Sequence, residues 1–347
     1  MEGPSPVGKT AKKTAKRPVG KPAKKAAKET ARRCNEEGHM KRHLILGGVL
    51  ATGVLSITAV AYQSPAGQPA PKVVEVEKLK DNLYVMKGGG GNSAVFITAD
   101  GVTVVDTKNP GWGQPLLDKI KSVTDKPVTR IINTHTHGDH VSGNVEFPAN
   151  IEIIVQETTK ASMQVMRPVT GLPAPPPGPS IFQQNNGRGL PTKTFKDKMT
   201  LGKGADQIDL YFFGPAHTGG DAFVAFPALR TLHAADAFHT RDLPIMDKNN
   251  GGSGVRYAAT LAKAAQVANI DTIINGHNAT TTTPADMKTQ SEFIADFVKF
   301  VVAAKKSGKT VDDVVKTWAT PAKYANYAKP NPDRVRSDAQ VIWDETK

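Results

Sequence analysis

The run His135-Thr136-His137-Gly138-Asp139-His140 constrains this chain most, because it directly follows a strand-like stretch from Val128 to Thr134. On extended chain, residues two apart point the same way, so His135 and His137 share a face. Gly138 then allows a sharp turn that brings Asp139 and His140 back toward the same space. Downstream, His217 follows a Tyr-Phe-Phe run, while Asp236 and His277 each stand at the end of a β-branched or aliphatic run. Five of the chain's nine histidines and two aspartates thus fall where side chains gather at strand ends. Imidazoles and carboxylates in that pattern are the ligands zinc accepts, and iron or manganese also bind them.

The surrounding sequence reads as mixed α/β. Short β-branched runs at 73–79, 82–87, 93–98 and 102–107 are punctuated by turn residues, and Asp100-Gly101 marks a hairpin. A helix over 115–123, the strand into the histidine cluster, a strand over 151–156 and a helix over 158–166 follow. Residues 167–192 form a Pro/Gly/Asn-rich loop too long for a simple connection, of the kind that covers active sites. The second half repeats the theme, with strands at 208–213, 222–226, 231–235 and 272–275 and a helix near 255–268. Thr283-Pro284-Ala285-Asp286 starts a last long helix, with Thr283 as N-cap and Phe293, Phe297, Phe300 and Val301 at helical spacing. Two similar halves imply two sheets packed together with helices outside, and a site where the halves meet. The end from Lys305 to Lys347 carries no evident chemistry and is expected to pack against the domain.

Charge narrows the partners. The chain of 347 residues has a net charge of +13, but residues 1–43 carry 13 Lys/Arg against 4 Asp/Glu, which leaves +4 for the rest. The folded part therefore gives no reason to expect a nucleic-acid partner, and a small-molecule substrate is expected. Cys34, the one cysteine, lies in the basic leader, so the remainder can form neither a disulfide nor a cysteine-ligated metal site. Residues 1–39 read as a disordered basic leader, and residues 40–61 as a signal peptide: Met40-Lys41-Arg42-His43, an apolar stretch and Ala59-Val60-Ala61. The apolar run of about 16 residues is short for a membrane span, which needs about 20.

Asn35-Glu36-Glu37-Gly38-His39 would be encoded by a purine-rich stretch resembling a ribosome-binding site, so Met40 is expected to be the true start. A genuine phosphate-binding basic tail and an uncleaved signal anchor remain the alternatives. Residues 62–71 read as a linker and 72–347 as the catalytic domain, periplasmic or secreted, touching a membrane only through the signal segment or anchor. Oligomeric state is not legible.

Taken in order from about Val73 to Asn278, these motifs resemble the metallo-β-lactamase superfamily, whose HxHxDH signature is matched by residues 135–140. The resemblance implies an α/β fold, the four-layer αβ/βα sandwich, with the site at one edge between two sheets. It implies two divalent metal ions, zinc foremost and iron or manganese as alternatives. The first would be held at His135, His137 and His217, and the second at Asp139, His140 and His277. Asp236 matches the bridging carboxylate of the glyoxalase-II-like and lactonase-like branches, and Asp106 matches a structural aspartate. The implied reaction is hydrolysis of an ester, thioester, lactone or lactam by a metal-bridged hydroxide, with Asp139 orienting the nucleophile.

Lacking a cysteine ligand, the chain departs from the first lactamase subclass, whereas His140 matches the third subclass and the esterase-like branches. β-Lactam cleavage and a mononuclear-iron sulfur dioxygenase are the alternatives. The flavin-linked diiron branch has a glutamate where this chain has His137, and a nuclease reading rests only on leader charge. Gly88 to Gly91 reads as a mobile hairpin loop near the site and not as a phosphate cradle, since no Lys-Ser/Thr and helix follow. Arg188, Arg241, His233 and His239 are candidates for substrate contact, each with an ordinary surface or loop role as the simpler reading.

Overall fold

The β-branched runs pair into two sheets in the computed structural model of the chain, which describes residues 71–277 and 282–347. The expected leader and signal peptide lie outside the described residues, as does nearly all of the linker. Strands β1 (Glu75–Lys80), β2 (Leu83–Lys87), β3 (Ser93–Thr98) and β4 (Gly101–Val105) form an antiparallel meander. It continues in parallel through β5 (Val128–Ile132), β6 (Glu152–Gln156) and β7 (Lys193–Phe195). The second sheet comprises β8 (Lys198–Leu201), β9 (Ile208–Tyr211), β10 (Phe223–Phe226), β11 (Thr231–Ala235) and β12 (Thr272–Asn275), of which only β11 and β12 run parallel.

Strand periodicity explains the layering, because successive side chains face opposite sides. Val105, Ile132 and Ile154 point inward with Phe96 to meet Leu210, Val224, Phe226 and Ile274 of the second sheet. Their sequence neighbours Val104, Ile131 and Ile153 point outward, onto Leu116 and Ile120 of helix α1 (Gly113–Lys121). A four-residue helix, α2 (Gly138–Val141), lies in the histidine cluster. On the same outer side, α3 (Glu157–Val165) sets Met163 with Val155 and with Phe182 of α4 (Ile181–Gln184). On the far side, Phe223, Ala225, Leu232 and Ile273 meet α5 (Gly254–Ala264), α6 (Pro284–Lys306), α7 (Val311–Thr317) and α8 (Pro332–Glu345). Each fully buried Phe, Leu or Ile favours the fold by about 1.5–3 kcal/mol. The result is the four-layer αβ/βα sandwich.

Two pairs of parallel strands fix the site's position. In open α/β sheets, loops beyond the carboxyl ends of parallel strands converge on ligands. Asp106 stands at the end of β4, His135 just past β5, Asp236 past β11 and His277 past β12. Asn92, between β2 and β3, staples the sheets beneath them, its N–H donating to Gly276 O at 2.5 Å and its Nδ2 to Asn275 O at 3.0 Å. No helix among the described residues is long and apolar enough to cross a membrane.

Candidate metal centre

Backbone geometry brings all seven sequence-singled residues together. His135, His137, His217 and Asp236 offer donor atoms that lie within 4.8 Å of one another, as do Asp139, His140 and His277. His135 and His137 share one side, as extended chain requires, with ring centroids 4.7 Å apart. The turn after them differs from expectation. Gly138 does not bend the chain sharply with a positive φ; His137 N-caps α2, and one helical turn swings Asp139 and His140 inward.

Each buried imidazole is tied back through one nitrogen, which sets its tautomer. His137 Nε2 donates to Asp247 Oδ2 at 2.8 Å, His140 Nδ1 to Asp106 Oδ2 at 2.7 Å and His217 Nδ1 to Ile245 O at 2.8 Å. Thr134 spends its hydroxyl hydrogen on Asp106 Oδ2, so its oxygen accepts from His135 Nδ1 at 3.0 Å. The nitrogens left over turn inward. When each ring carries only the proton used outward, His137 Nδ1 and His217 Nε2 are lone-pair atoms 3.0 Å apart, and His135 Nε2 is buried with no hydrogen-bond partner among the described residues. Lone pairs meeting in a buried space repel unless a cation lies among them, so these residues fit a metal ion.

Electrostatics separate the two groups. Burial first, then the neighbouring His140, His137 and His217, keeps His135 well below the usual imidazole range. Burial and His137 push His217 down to about 3, so both rings are in the neutral, ligating form. His140 behaves oppositely: burial opposes its charging, but Asp236, Asp139 and Asp106 together raise its pKa well above the ordinary value. At His277, burial is likewise outweighed by hydrogen bonds to Asp139 and Asp236, which raise the pKa to about 9. The carboxylates thus draw positive charge to the place where a divalent ion would supply it. Burial disfavours the Asp139 anion, yet His140 and His277 more than compensate and hold it below the usual carboxylate range. Asp236 lies between the groups, with Oδ1 3.2 Å from His140 Nε2 and Oδ2 3.2 Å from His277 Nε2 and 3.8 Å from His217 Nε2.

Glycines make room for this crowding. A Cβ on Gly91 would lie 2.1 Å from His140 Cε1, and one on Gly276 would lie 1.7 Å from Asp236 Oδ1. The Gly88–Gly91 loop, expected as a mobile hairpin near the site, packs beneath it: Gly91 N–H donates to Asp139 O, and buried Lys108 Nζ donates to Gly91 O and Met86 O.

A cavity of about 550 Å³ opens onto His137, Asp139, His217, Asp236 and His277. The long loop contributes Val169 and Leu172 to its wall, and His239 lines it as well. Other candidates lie elsewhere. Arg188 Nη2 donates to Phe147 O, Arg241 lines a separate cavity, and His233 is buried with Nε2 donating to Asn92 O. Sequence reading missed Asp247, which receives Thr170 N–H and Oγ1 on Oδ1 and Asn250 Nδ2 on Oδ2 while holding His137. It also missed Asn331 and Arg334, which line the cavity from the C-terminal segment expected only to pack. No local pattern flags Asp247, although Asn331-Pro332 is a readable helix start.

Comparison with known proteins agrees with this geometry. The metallo-beta-lactamase superfamily model matches residues 86–277. A metallo-beta-lactamase type 2 from Elizabethkingia meningoseptica is 27% identical over 199 residues, 53% of this chain and 67% of the relative. Metallo-beta-lactamase IND-1 from Chryseobacterium indologenes is 25% identical over 166 residues, 44% of this chain and 60% of the relative, so this match spans less than two thirds of that protein. Among solved structures, a metallo-beta-lactamase from Pontibacter korlensis has a TM-score of 0.52 at 17% identity, covering 64% of this chain and 99% of that one. A variant of the sec-alkyl sulfatase PisA1 has a TM-score of 0.62 at 13% identity, covering 79% of this chain and 50% of that one. At such identities the structural likeness speaks for the fold alone. Because the family match runs over more than half of the chain and takes in all seven clustered residues, the chain belongs to the metallo-beta-lactamase superfamily and is a metallo-hydrolase.

Proposed function

We propose that this metallo-hydrolase cleaves an ester, thioester, lactone or lactam bond in a small molecule. His135, His137 and His217 would hold one divalent ion, and Asp139, His140 and His277 a second, with Asp236 shared between them. Zinc is the favoured ion, and the donors also suit iron or manganese. The observation that carries this reading is the pair of inward nitrogens on His137 and His217, 3.0 Å apart beside His135 Nε2, which has no partner among the described residues. When bound, such ions supply Lewis acidity and bring the pKa of water toward neutrality.

The chain's own groups do the rest. Asp139 faces the cavity as a carboxylate and can orient a nucleophile by accepting its hydrogen bond. Asp106, Asp247 and the Ile245 carbonyl keep ring nitrogens aimed inward, so no reorganisation is required during reaction. The half-exposed His277 leaves the substrate side open. Export through the segment 40–61 is part of the proposal and suits a periplasmic or secreted enzyme.

A β-lactam is the second reading, favoured by the two curated relatives named as metallo-beta-lactamases. Metal analysis of the purified protein, paired with nitrocefin, a lactone, a thioester and a phosphodiester, tests both readings. Two divalent ions per chain with turnover of a carbonyl substrate are expected; nitrocefin alone among them would select the lactamase. One iron per chain with oxygen consumption would overturn the hydrolase reading in favour of a mononuclear-iron sulfur dioxygenase.

A further inference from the structure

Helix α8 carries a carboxylate on its buried face. Val335, Ala339 and Ile342 recur there at helical spacing, and Asp338 sits fully buried among them. The helix is held at both ends. Asn331 caps its start, accepting from Asp333 N–H at 2.9 Å and Arg334 N–H at 3.3 Å. Lys305 of α6 closes the other end, donating Nζ to Trp343 O at 2.6 Å and to Thr346 O. From this fixed position Asp338 Oδ1 accepts the N–H of Met246 at 3.2 Å, 92 residues back in the chain.

Met246 stands between the two groups that steer the imidazole cage. Ile245 O accepts from His217 Nδ1, and Asp247 Oδ2 from His137 Nε2, both at 2.8 Å. Residues 243–247 belong to no helix or strand, so no regular ladder sets where these acceptors point. The amide between them is spent on α8 instead. Two further bonds fasten the following stretch to the same helix: Lys248 Nζ donates to Asp344 Oδ2 at 2.7 Å and Val255 N–H to Glu345 Oε2 at 2.9 Å. Gly254 lets the helix come close, since a Cβ there would meet Ile342 Cγ1 and Met246 Sδ. The Lys248 and Glu345 ties are exposed and contribute little, whereas a buried Met246 amide without its acceptor would be costly.

We propose that Asp338 is a positioning residue of the metal centre: by holding the Met246 amide it fixes the Ile245 carbonyl and the Asp247 carboxylate, and through them the inward aim of His217 and His137. This rests on the reading of His135, His137 and His217 as a metal site. If Asp338 served only the packing of α8, its loss would act on both donor groups alike. Burial, only partly offset by Arg334, holds the Asp338 carboxyl well above the usual carboxylate range, so its acceptor role needs no charge. Asp338→Asn therefore keeps the acceptor and Asp338→Leu removes it, while both lack the acid.

The zinc-loaded wild type and variants are titrated with the chelator pyridylazoresorcinol. Asp338→Leu should hold the ion of the buried cage about tenfold more weakly, the lower end of what loss of a direct partner of a metal-ligating histidine costs, and the other ion within about twofold. Asp338→Asn should stay within about twofold of the wild type at both. Val335→Ala thins the packing of the same helix without touching the Met246 bond; it should lower stability to denaturant and leave both affinities in place. An unchanged cage affinity in Asp338→Leu, an equal loss at both ions, or an equal loss in Val335→Ala overturns the proposal. Should Asp338→Leu alone not fold, the double variant Arg334→Met, Asp338→Leu carries the comparison, since it leaves no buried guanidinium behind.

The metal-free protein separates this inference from the metal reading. In proton–nitrogen correlation spectra of the histidine side chains, the protons on His137 Nε2 and His217 Nδ1 should be seen in the wild type and Asp338→Asn and lost to solvent exchange in Asp338→Leu. The proton on His140 Nδ1, held by Asp106, should persist in all three. If the wild type takes up no zinc yet the first two protons are lost in the variant, the positioning role stands while the metal reading fails. Their persistence in Asp338→Leu overturns the proposal.

Discussion

The two donor groups of the candidate centre differ in how firmly the fold holds them. His135, His137 and His217 are almost fully buried, each with its outer nitrogen fixed by Thr134, Asp247 or the Ile245 carbonyl. In the other group only His140 is buried; the Asp139 side chain is 29% exposed and that of His277 38%. One half is a preset cage of buried, inward-aimed nitrogens, whereas the other is an open, charged set beside the cavity. Rigid, desolvated donors select and retain a metal, while exposed ones leave positions for substrate. One tightly held ion and one that exchanges more readily are therefore expected.

The largest break in that comparison should come from His135→Ala, which removes an inward nitrogen from the cage. Loss of several kcal/mol of Lewis-acid stabilisation corresponds to a fall in kcat/KM of about 10³-fold or more, with loss of the first ion. Steady-state kinetics with metal analysis check it, and His233→Ala, whose ring lies away from the cavity, should retain turnover. Asp247→Asn tests the cage from behind. It should weaken the first ion by about 10–100-fold and spare the second, read from competition with a chelator.

Asp106→Asn sharpens the contrast from the shared side, because Asp106 braces His140 directly and His135 through Thr134. Chelator titration should show the second ion weakened by about tenfold and the first by less. An equal loss at both would mean that the two halves act as one unit.

The smallest effect concerns Lys108 beneath the glycine loop, whose pKa burial pushes down to about 7 despite Asp106 and Asp139. For a lysine whose folded pKa lies below its unfolded value, the unfolded chain binds more protons between those two values. Stability should therefore rise with pH from about 7 toward about 10, with a slope of up to about 1.4 kcal/mol per unit. Denaturant unfolding of the wild type and Lys108→Met at pH 7 and 9 checks this, since the variant should lose that slope.

What could be read in advance follows from how local each signal is. Runs such as Ser93–Thr98 and Gly101–Val105 declare themselves as strands because β-branched and aromatic residues pack on a pleated surface. The seven clustered residues stand at or beyond strand ends, where the chain turns toward a common space. Lys193–Phe195 and Lys198–Leu201 were not legible as strands, being short, partly polar pieces at sheet edges that pairing alone defines. Asp247 was hidden for another reason: it acquires its role by meeting His137, 110 positions away. Gly138 misled because its freedom suggested a sharp bend, whereas the chain uses a plain helical turn capped by His137.

Anomalous diffraction from zinc-loaded crystals, repeated after brief chelation, tests the asymmetric two-ion centre most directly. Two peaks should appear, one among His135, His137 and His217 and one among Asp139, His140 and His277, both touching Asp236, and chelation should empty the second first. A peak at Asp139, His140 and His277 with none among the three buried imidazoles, or loss of the buried ion before the exposed one, would contradict the account.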